Sequence, residues 1–224
     1  MPGIWLVFTV VLFGLADWVY RRCDTPAWLH PTILPTSVLI AAFMLTDLSY
    51  ENFVADTRVL DMGLLAAVAA LSVPLFRNLA VMKAEKTAIM AAIIAGSVTG
   101  VGTALGCIYL LDGANSLYAS VVTKSVTTPI AVTVAENIGG SAPLAASIVI
   151  VTGLMAAIFG PAIIRKLGTD DDILTGIALG TAGHAIGMAE GIRRSELMGA
   201  AAAFAMAANG LVTAIVLPLL WRVL

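Results

Sequence analysis

The sequence has few charged side chains: they make up 12% of its 224 residues, whereas 60% are hydrophobic. Soluble domains carry about 25% charged residues, so this composition excludes an ordinary soluble fold and indicates a polytopic membrane protein. The basic residues stand in pairs between apolar runs and form no stripe, which argues against nucleic-acid binding. We therefore expect a lipid bilayer around a single domain over residues 1–224.

Cysteine and histidine are also scarce, with two residues of each. Cys23 and Cys107 lack metal-ligand spacing and form no disulfide framework. The sequence has no nucleophile elbow, phosphate loop or metal-binding cluster. A hydrolytic triad of Ser125, His184 and Glu136 has no motif behind it. We expect neither an enzyme nor a bound metal or cofactor.

The most prominent feature of the sequence is its long apolar runs. A membrane-spanning helix needs about 20 apolar residues. Clear runs cover 4–20, 87–111, 142–164 and 198–220, the last interrupted by Asn209-Gly210. With shorter stretches, the pattern predicts an all-α fold of six to eight membrane segments. Interrupted or re-entrant helices are expected near 31–47, 116–138 and 173–189.

The polar residues between these runs suggest a topology. Residues 47–61 hold four acids and one arginine, and we expect a solvent-facing connection outside the cell, with or without a short helix. The positive-inside rule places the linker 77–86 in the cytoplasm. The basic pair that ends at Lys166 then lies inside only if 116–138 enters the membrane and returns. A basic pair also follows 173–189 and favours the same behaviour there.

A weak internal repeat relates approximately residues 25–111 and 115–224. In each part, a break at a proline–threonine pair, Pro35-Thr36 in the first part and Thr128-Pro129 in the second, precedes an alanine- or glycine-rich apolar run. Paired interrupted segments in corresponding positions indicate a transporter binding site. The repeat is either inverted or parallel.

The first break combines Lys124, Ser125, Thr127, Thr128 and Pro129 within an apolar region. Unsatisfied polar groups are costly in hydrocarbon, so protein must cover this stretch or it must line a wet cavity. Lys124 is a candidate counter-charge for a carboxylate, or a lysine that snorkels to the headgroups. The hydroxyls can contact a ligand or bond the carbonyl that the proline leaves free.

The second break is a glycine-rich run around one histidine: Gly180, Thr181, Gly183, His184 and Gly187. His184 is a candidate proton carrier or carboxylate donor, or a packed core residue. The glycines permit unwinding and close backbone approach, or they serve tight helix packing.

Three further polar residues are secondary candidates. Glu136 and Asn137 follow the first break and could pair with Lys124, bind a cation or form an interfacial turn. Asn209 could join the site, although interhelical hydrogen bonding is the simpler role for an asparagine in a span.

The order of short motifs resembles the LrgB/CidB family, the larger subunits of holin/antiholin-like pairs. The same family supplies the membrane half of the plant plastid glycolate/glycerate transporter. The resemblance covers essentially the whole chain, and the motifs that carry it are KSVTTPIA at 124–131, ENIGG at 136–140, Gly160-Pro161, ALGTA at 178–182, HAIG at 184–187 and Asn209-Gly210.

This resemblance implies a carrier of small monocarboxylates, of the size of pyruvate, glycolate, glycerate or 3-hydroxypropionate, in the bacterial cytoplasmic membrane. It implies that two facing helix breaks bind the carboxylate and that access alternates between the two sides. The alternative is an antiholin-like regulator of holin pores and murein hydrolases that transports nothing itself. A small LrgA/CidA-type membrane subunit and a homo-oligomer are the expected partners.

Overall fold

The computed structural model describes residues 3–23, 29, 31–46, 48–70 and 72–223. Every regular element in these ranges is a helix, which confirms the predicted all-α class. The chain divides into two compact units, Met1–Ser72 and Val73–Leu224. The predicted single domain and the predicted repeat of 25–111 and 115–224 stay predictions.

The first unit contains helices α1 (Ile4–Arg22), α2 (Ile33–Leu45) and α3 (Tyr50–Ala70). An aromatic cluster joins them, because Phe43 stacks on Trp5 at 5.6 Å between ring centroids and meets Phe53 edge to face at 5.4 Å. Such pairs stabilise by about 0.5–1.5 kcal/mol beyond the apolar area that they bury.

Two expectations for this unit are wrong. The connection expected over residues 47–61 lies mostly inside α3. Its charges favour a loop, but residues 50–62 contain no proline or glycine, and Glu51 suits the first turn of a helix. The break expected at Pro35 is also absent: this proline sits in the first turn of α2, where its missing N–H costs nothing.

The second unit begins within α4 (Ser72–Arg77), which spans the boundary between the units. Its long helices α6 (Lys86–Leu110), α9 (Ala142–Lys166) and α11 (Glu196–Trp221) match the predicted apolar runs, although α11 continues unbroken through Asn209 and Gly210. Together with α1 they are long and apolar enough to cross a membrane. The helices are α4 (Ser72–Arg77), α5 (Leu79–Ala84), α6 (Lys86–Leu110), α7 (Asn115–Val121), α8 (Thr128–Asn137), α9 (Ala142–Lys166), α10 (Asp172–Arg194) and α11 (Glu196–Trp221).

Residues 115–141 form a helical hairpin, named hairpin 1, in which α7 and α8 flank a non-helical tip at 122–127. The Ser141 N–H, just beyond α8, donates to the Ser120 hydroxyl in α7 at 2.8 Å. A Cβ on Gly140 would lie only 2.9 Å from the Ser120 nitrogen. The chain therefore reverses direction at the tip and returns to the level of Ser120 in α7.

Residues 172–195 form a second hairpin, hairpin 2, although their hydrogen bonds make α10 almost continuous. His184 leaves helical geometry, with φ 41° and ψ −127°. The Ser195 hydroxyl donates to Asp172, a residue that a straight helix would hold about 35 Å away. A Cβ on Gly187 would overlap the Leu179 carbonyl group, so the halves before and after His184 pack side by side.

The two hairpins point toward each other from opposite ends of α9. Hairpin 1 leads directly into the start of α9, and hairpin 2 follows its end. Both tips reach Val149: Val126 of hairpin 1 packs on it, and His184 Nε2 lies 2.9 Å from its carbonyl oxygen. Along the chain, a long helix followed by a hairpin therefore occurs twice, as α6 with hairpin 1 and as α9 with hairpin 2.

Candidate functional site

The two hairpin tips meet at the side chain of Asn209, which is 1% exposed at mid-length of α11. Its Nδ2 donates to the Ser125 carbonyl at 2.7 Å and to the Thr181 carbonyl at 3.2 Å. Its Oδ1 accepts from the Ser97 hydroxyl of α6 at 2.6 Å. Two oxygens bound to one nitrogen lie within about 6 Å of each other, so the two sequence breaks are neighbours.

Lys124 lies in the tip of hairpin 1, against the middle of α6. Its Nζ is 3.3 Å from the Ser125 hydroxyl. A Cβ on Gly100 would lie 3.6 Å from the same Nζ atom. The ion pairs of the described residues involve other groups, so no described carboxylate neutralises this ammonium. Lys124 therefore lies beside the middle of α6.

The N-terminus of α8 begins at the same tip. Thr127 is its N-cap with extended backbone, and Thr128 and Pro129 form its start. Within the described chain no side chain caps this end, and the Thr128 and Ile130 N–H groups have no intrahelical acceptor. A helix N-terminus carries partial positive charge and suits an anion. Ala131, fully buried with Val149, fixes its position.

His184 forms the tip of hairpin 2 and is 2% exposed. Its ring packs so closely on α9 that a Cβ on Gly153 would lie 2.7 Å from Cε1. Nε2 bonds the Val149 carbonyl, whereas Nδ1 has no hydrogen-bond partner among the described residues. The Thr181 hydroxyl, on a side chain 5% exposed, is likewise without a partner there.

The three glycines of the second break all lie at close contacts with neighbouring backbone or side chains. A Cβ on Gly180 would overlap the Ala202 carbonyl of α11, and one on Gly183 would lie 2.8 Å from Ala156 Cβ. Gly187 allows the two halves of hairpin 2 to touch.

Two predicted secondary residues lie away from the tips, and several central ones were missed. Glu136 and Asn137 are exposed in the last turn of α8, at the base of hairpin 1. The missed residues are Ser97, Gly96 and Gly100. A hydroxyl between two glycines four residues apart, in the middle of an apolar span, is the sequence signal that could have revealed them.

Comparison with known proteins agrees with the motif resemblance. The model of the LrgB-like family matches residues 9–223. The uncharacterized protein YwbG of Bacillus subtilis is 31% identical, over 96% of this chain and 95% of its own length. The antiholin-like protein LrgB of Bacillus subtilis is 28% identical, over 97% of this chain and 94% of its own length. No solved structure matches the chain. Both the motifs and the matched length assign the chain to the LrgB-like family.

Proposed function

We propose that this protein carries small monocarboxylates across the bacterial cytoplasmic membrane and binds the carboxylate between the two hairpin tips. The observation that carries the proposal is the ammonium of Lys124, which has no carboxylate partner among the described residues. A lysine at mid-membrane costs about 2.5–3.5 kcal/mol on insertion scales, and such residues are normally paired. A bound carboxylate supplies the missing negative charge.

The depth of the tips supports this reading. Helices α6 and α9 each have 25 residues, about 37 Å, which spans a hydrocarbon layer of about 30 Å. The tips contact Gly100 of α6, Gly153 of α9 and Asn209 of α11, all near mid-length. Each hairpin is thus re-entrant: α8, with ten residues, covers about half of the layer. With α2 and the four spanning helices, the hairpins account for the expected six to eight segments.

Charge gives the orientation. At the end of the second unit where α9 finishes, the described basic residues are Arg77, Lys83, Lys86, Arg165, Lys166, Arg193 and Arg194. At the opposite end the described residues include one basic side chain, Arg222. The positive-inside rule puts the base of hairpin 2 in the cytoplasm and the base of hairpin 1 outside.

The tip chemistry suits a carboxylate in particular. Lys124 contributes a point charge, the Ser125 hydroxyl lies 3.3 Å from it, and the free N–H groups of α8 add partial positive charge. In inverted-repeat carriers, interrupted helices at mid-membrane bind the substrate, and access alternates as one part moves against another. Here the opposed hairpins are the parts that can separate, one on each side of the substrate.

The test is counterflow of a radiolabelled hydroxy acid into liposomes that contain the purified protein. We expect saturable uptake that falls at least tenfold in Lys124→Ala. Lys83→Ala, at an exposed lysine near the end of α5, is the matched control and should retain uptake. Uptake that is equal in the two variants would exclude the role of Lys124.

A relative's name supports a second candidate. Because the Bacillus subtilis relative is called antiholin-like, the protein could instead regulate holin pores and murein hydrolases. That function needs no unpaired lysine at mid-membrane. It predicts that reconstituted protein shows no saturable flux of any small monocarboxylate, with or without an LrgA/CidA-type subunit. This partner, like a homo-oligomer, stays a prediction.

A further inference from the structure

Ser97 stands in α6 between the points at which the two hairpin tips touch this helix. One residue before it, a Cβ on Gly96 would lie 3.1 Å from Thr181 Cγ2 in hairpin 2. Three residues after it, a Cβ on Gly100 would lie 3.5 Å from the Ser125 hydroxyl in hairpin 1. Positions three and four apart share one face of a helix, so Ser97 lies on the face of α6 that carries both tips.

The acceptors around Asn209 fix where its amide hydrogens point. Its two amide hydrogens go to the carbonyls of Ser125 and Thr181, which only accept. Its Oδ1 therefore faces Ser97, whose hydroxyl oxygen is 2.6 Å away. The same hydroxyl oxygen is also 2.6 Å from the Ile93 carbonyl, one turn earlier in α6. A hydroxyl has one hydrogen, so Ser97 can bond Asn209 or its own helix, but cannot bond both fully.

This single hydrogen decides which way the Asn209 amide is turned. An amide turned by 180° would place Oδ1 against the carbonyl oxygens of Ser125 and Thr181, at the 2.7 and 3.2 Å where Nδ2 now lies. Oxygens that face each other without a hydrogen between them form no bond and repel each other. Donation from the Ser97 hydroxyl to Oδ1 therefore favours the orientation that attracts both tips.

We infer that the Ser97 hydroxyl is a positioning group for the carboxylate site. By holding Asn209 in the orientation that bonds both tips, it keeps Lys124 and the N-terminus of α8 beside hairpin 2. When the tips separate and the amide turns, the hydroxyl bonds the Ile93 carbonyl instead and is not left unpaired. This inference rests on the proposed transport function and adds to it a residue that acts through Asn209.

Ser97→Ala should therefore weaken substrate binding more than turnover. Without this donor, the amide holds the tips together in a smaller fraction of molecules, and the apparent affinity falls in proportion to that fraction. In counterflow of radiolabelled glycolate we expect KM to rise about fivefold, the order that one neutral hydrogen bond supports, and kcat to fall less than about twofold. Loss of folded protein would do the opposite, because it lowers the maximal rate and leaves KM unchanged.

Two further variants separate the hydrogen bond from packing. Ser97→Thr keeps the hydroxyl, and its additional methyl has room because Ser97 borders an apolar groove of about 300 Å³ between α6 and α11. It should return KM to within about twofold of the unaltered protein. Thr103→Val is the matched control, because this hydroxyl also donates to the carbonyl four residues earlier, at 2.7 Å, and its hydrogen bonds among the described residues stay within α6. It should leave KM unchanged.

A double-mutant cycle tests whether Ser97 acts through Asn209. In an Asn209→Leu background no amide is left to orient, so Ser97→Ala should change KM by less than about twofold. The same cycle is read from Tm in detergent, which needs no uptake: Ser97→Ala should lower Tm in the unaltered protein and leave it unchanged in Asn209→Leu. Effects of equal size in both backgrounds would overturn the inference.

The outcomes separate this inference from the proposed function. An unchanged KM in Ser97→Ala, or a raised KM that Ser97→Thr does not restore, also overturns the inference. If Lys124→Ala still lowers uptake at least tenfold in that case, the carrier function survives without a role for Ser97. If neither glycolate nor pyruvate shows saturable uptake into liposomes with the unaltered protein, the transport function and this inference fall together.

Discussion

Replacing Asn209 by leucine, a side chain of similar size, should destabilise the protein measurably. The Asn209 amide bonds the carbonyls of Ser125 and Thr181, one in the tip of each hairpin. Hydrogen bonds between helices in membranes contribute about 0.6 kcal/mol each on average, whereas an unsatisfied buried carbonyl costs about 1–3 kcal/mol. For two such bonds we expect a loss of about 1–4 kcal/mol.

The measurement is thermal unfolding in detergent, followed by tryptophan fluorescence. For a chain of this length, 1 kcal/mol shifts Tm by about 3 °C, so Asn209→Leu should lower Tm by about 3–12 °C. Asn137→Leu is the matched control, because Asn137 is exposed in the last turn of α8. It should change Tm by less than about 2 °C. If both variants unfold at the wild-type temperature, the amide does not hold the tips together.

Three further predictions follow from the packing and the charges. Gly187→Ala should fail to fold normally by size-exclusion profile, because its methyl meets the Leu179 carbonyl, whereas Gly102→Ala, in open space, should elute like the wild type. In a cysteine-free background, Asn137→Cys should react with an impermeant maleimide added outside the cell, and Asp170→Cys only after permeabilisation; labelling of both from outside contradicts the orientation. Glu190→Gln should lower Tm, because it weakens the pairing of a buried carboxylate with two arginines; an unchanged Tm contradicts this.

The sequence predicts the breaks well because their cause is local. Lys124, three hydroxyls and Pro129 are incompatible with a lipid-facing helix wherever the rest of the chain lies. The glycine-rich surroundings of His184 indicate an irregular backbone for a similar reason, and the structure has positive φ there. The long spans follow from hydropathy alone.

The reversals could not be predicted in the same way, because they depend on distant contacts. No local pattern in residues 172–195 predicts that the Ser195 hydroxyl bonds the Asp172 carboxylate. In the sequence, Asn209 resembles a helix interruption. In the structure, α11 continues through Asn209, and its amide donates hydrogen bonds to carbonyls of both hairpins. In α3, the charged residues favour a connection, but the segment lacks helix breakers and is helical, so the prediction is wrong.

One amide nitrogen serves the backbone of both hairpins. If hairpin 1 moves away from Asn209, the hydrogen bond to the Ser125 carbonyl is lost, whereas hairpin 2 can keep the bond to the Thr181 carbonyl. If hairpin 2 moves away, the opposite bond is lost. Losing both at once is the most costly arrangement, since it strands two carbonyls and the amide together. In the proposed carrier, simultaneous opening to the two compartments is therefore the arrangement that breaks the most of these hydrogen bonds.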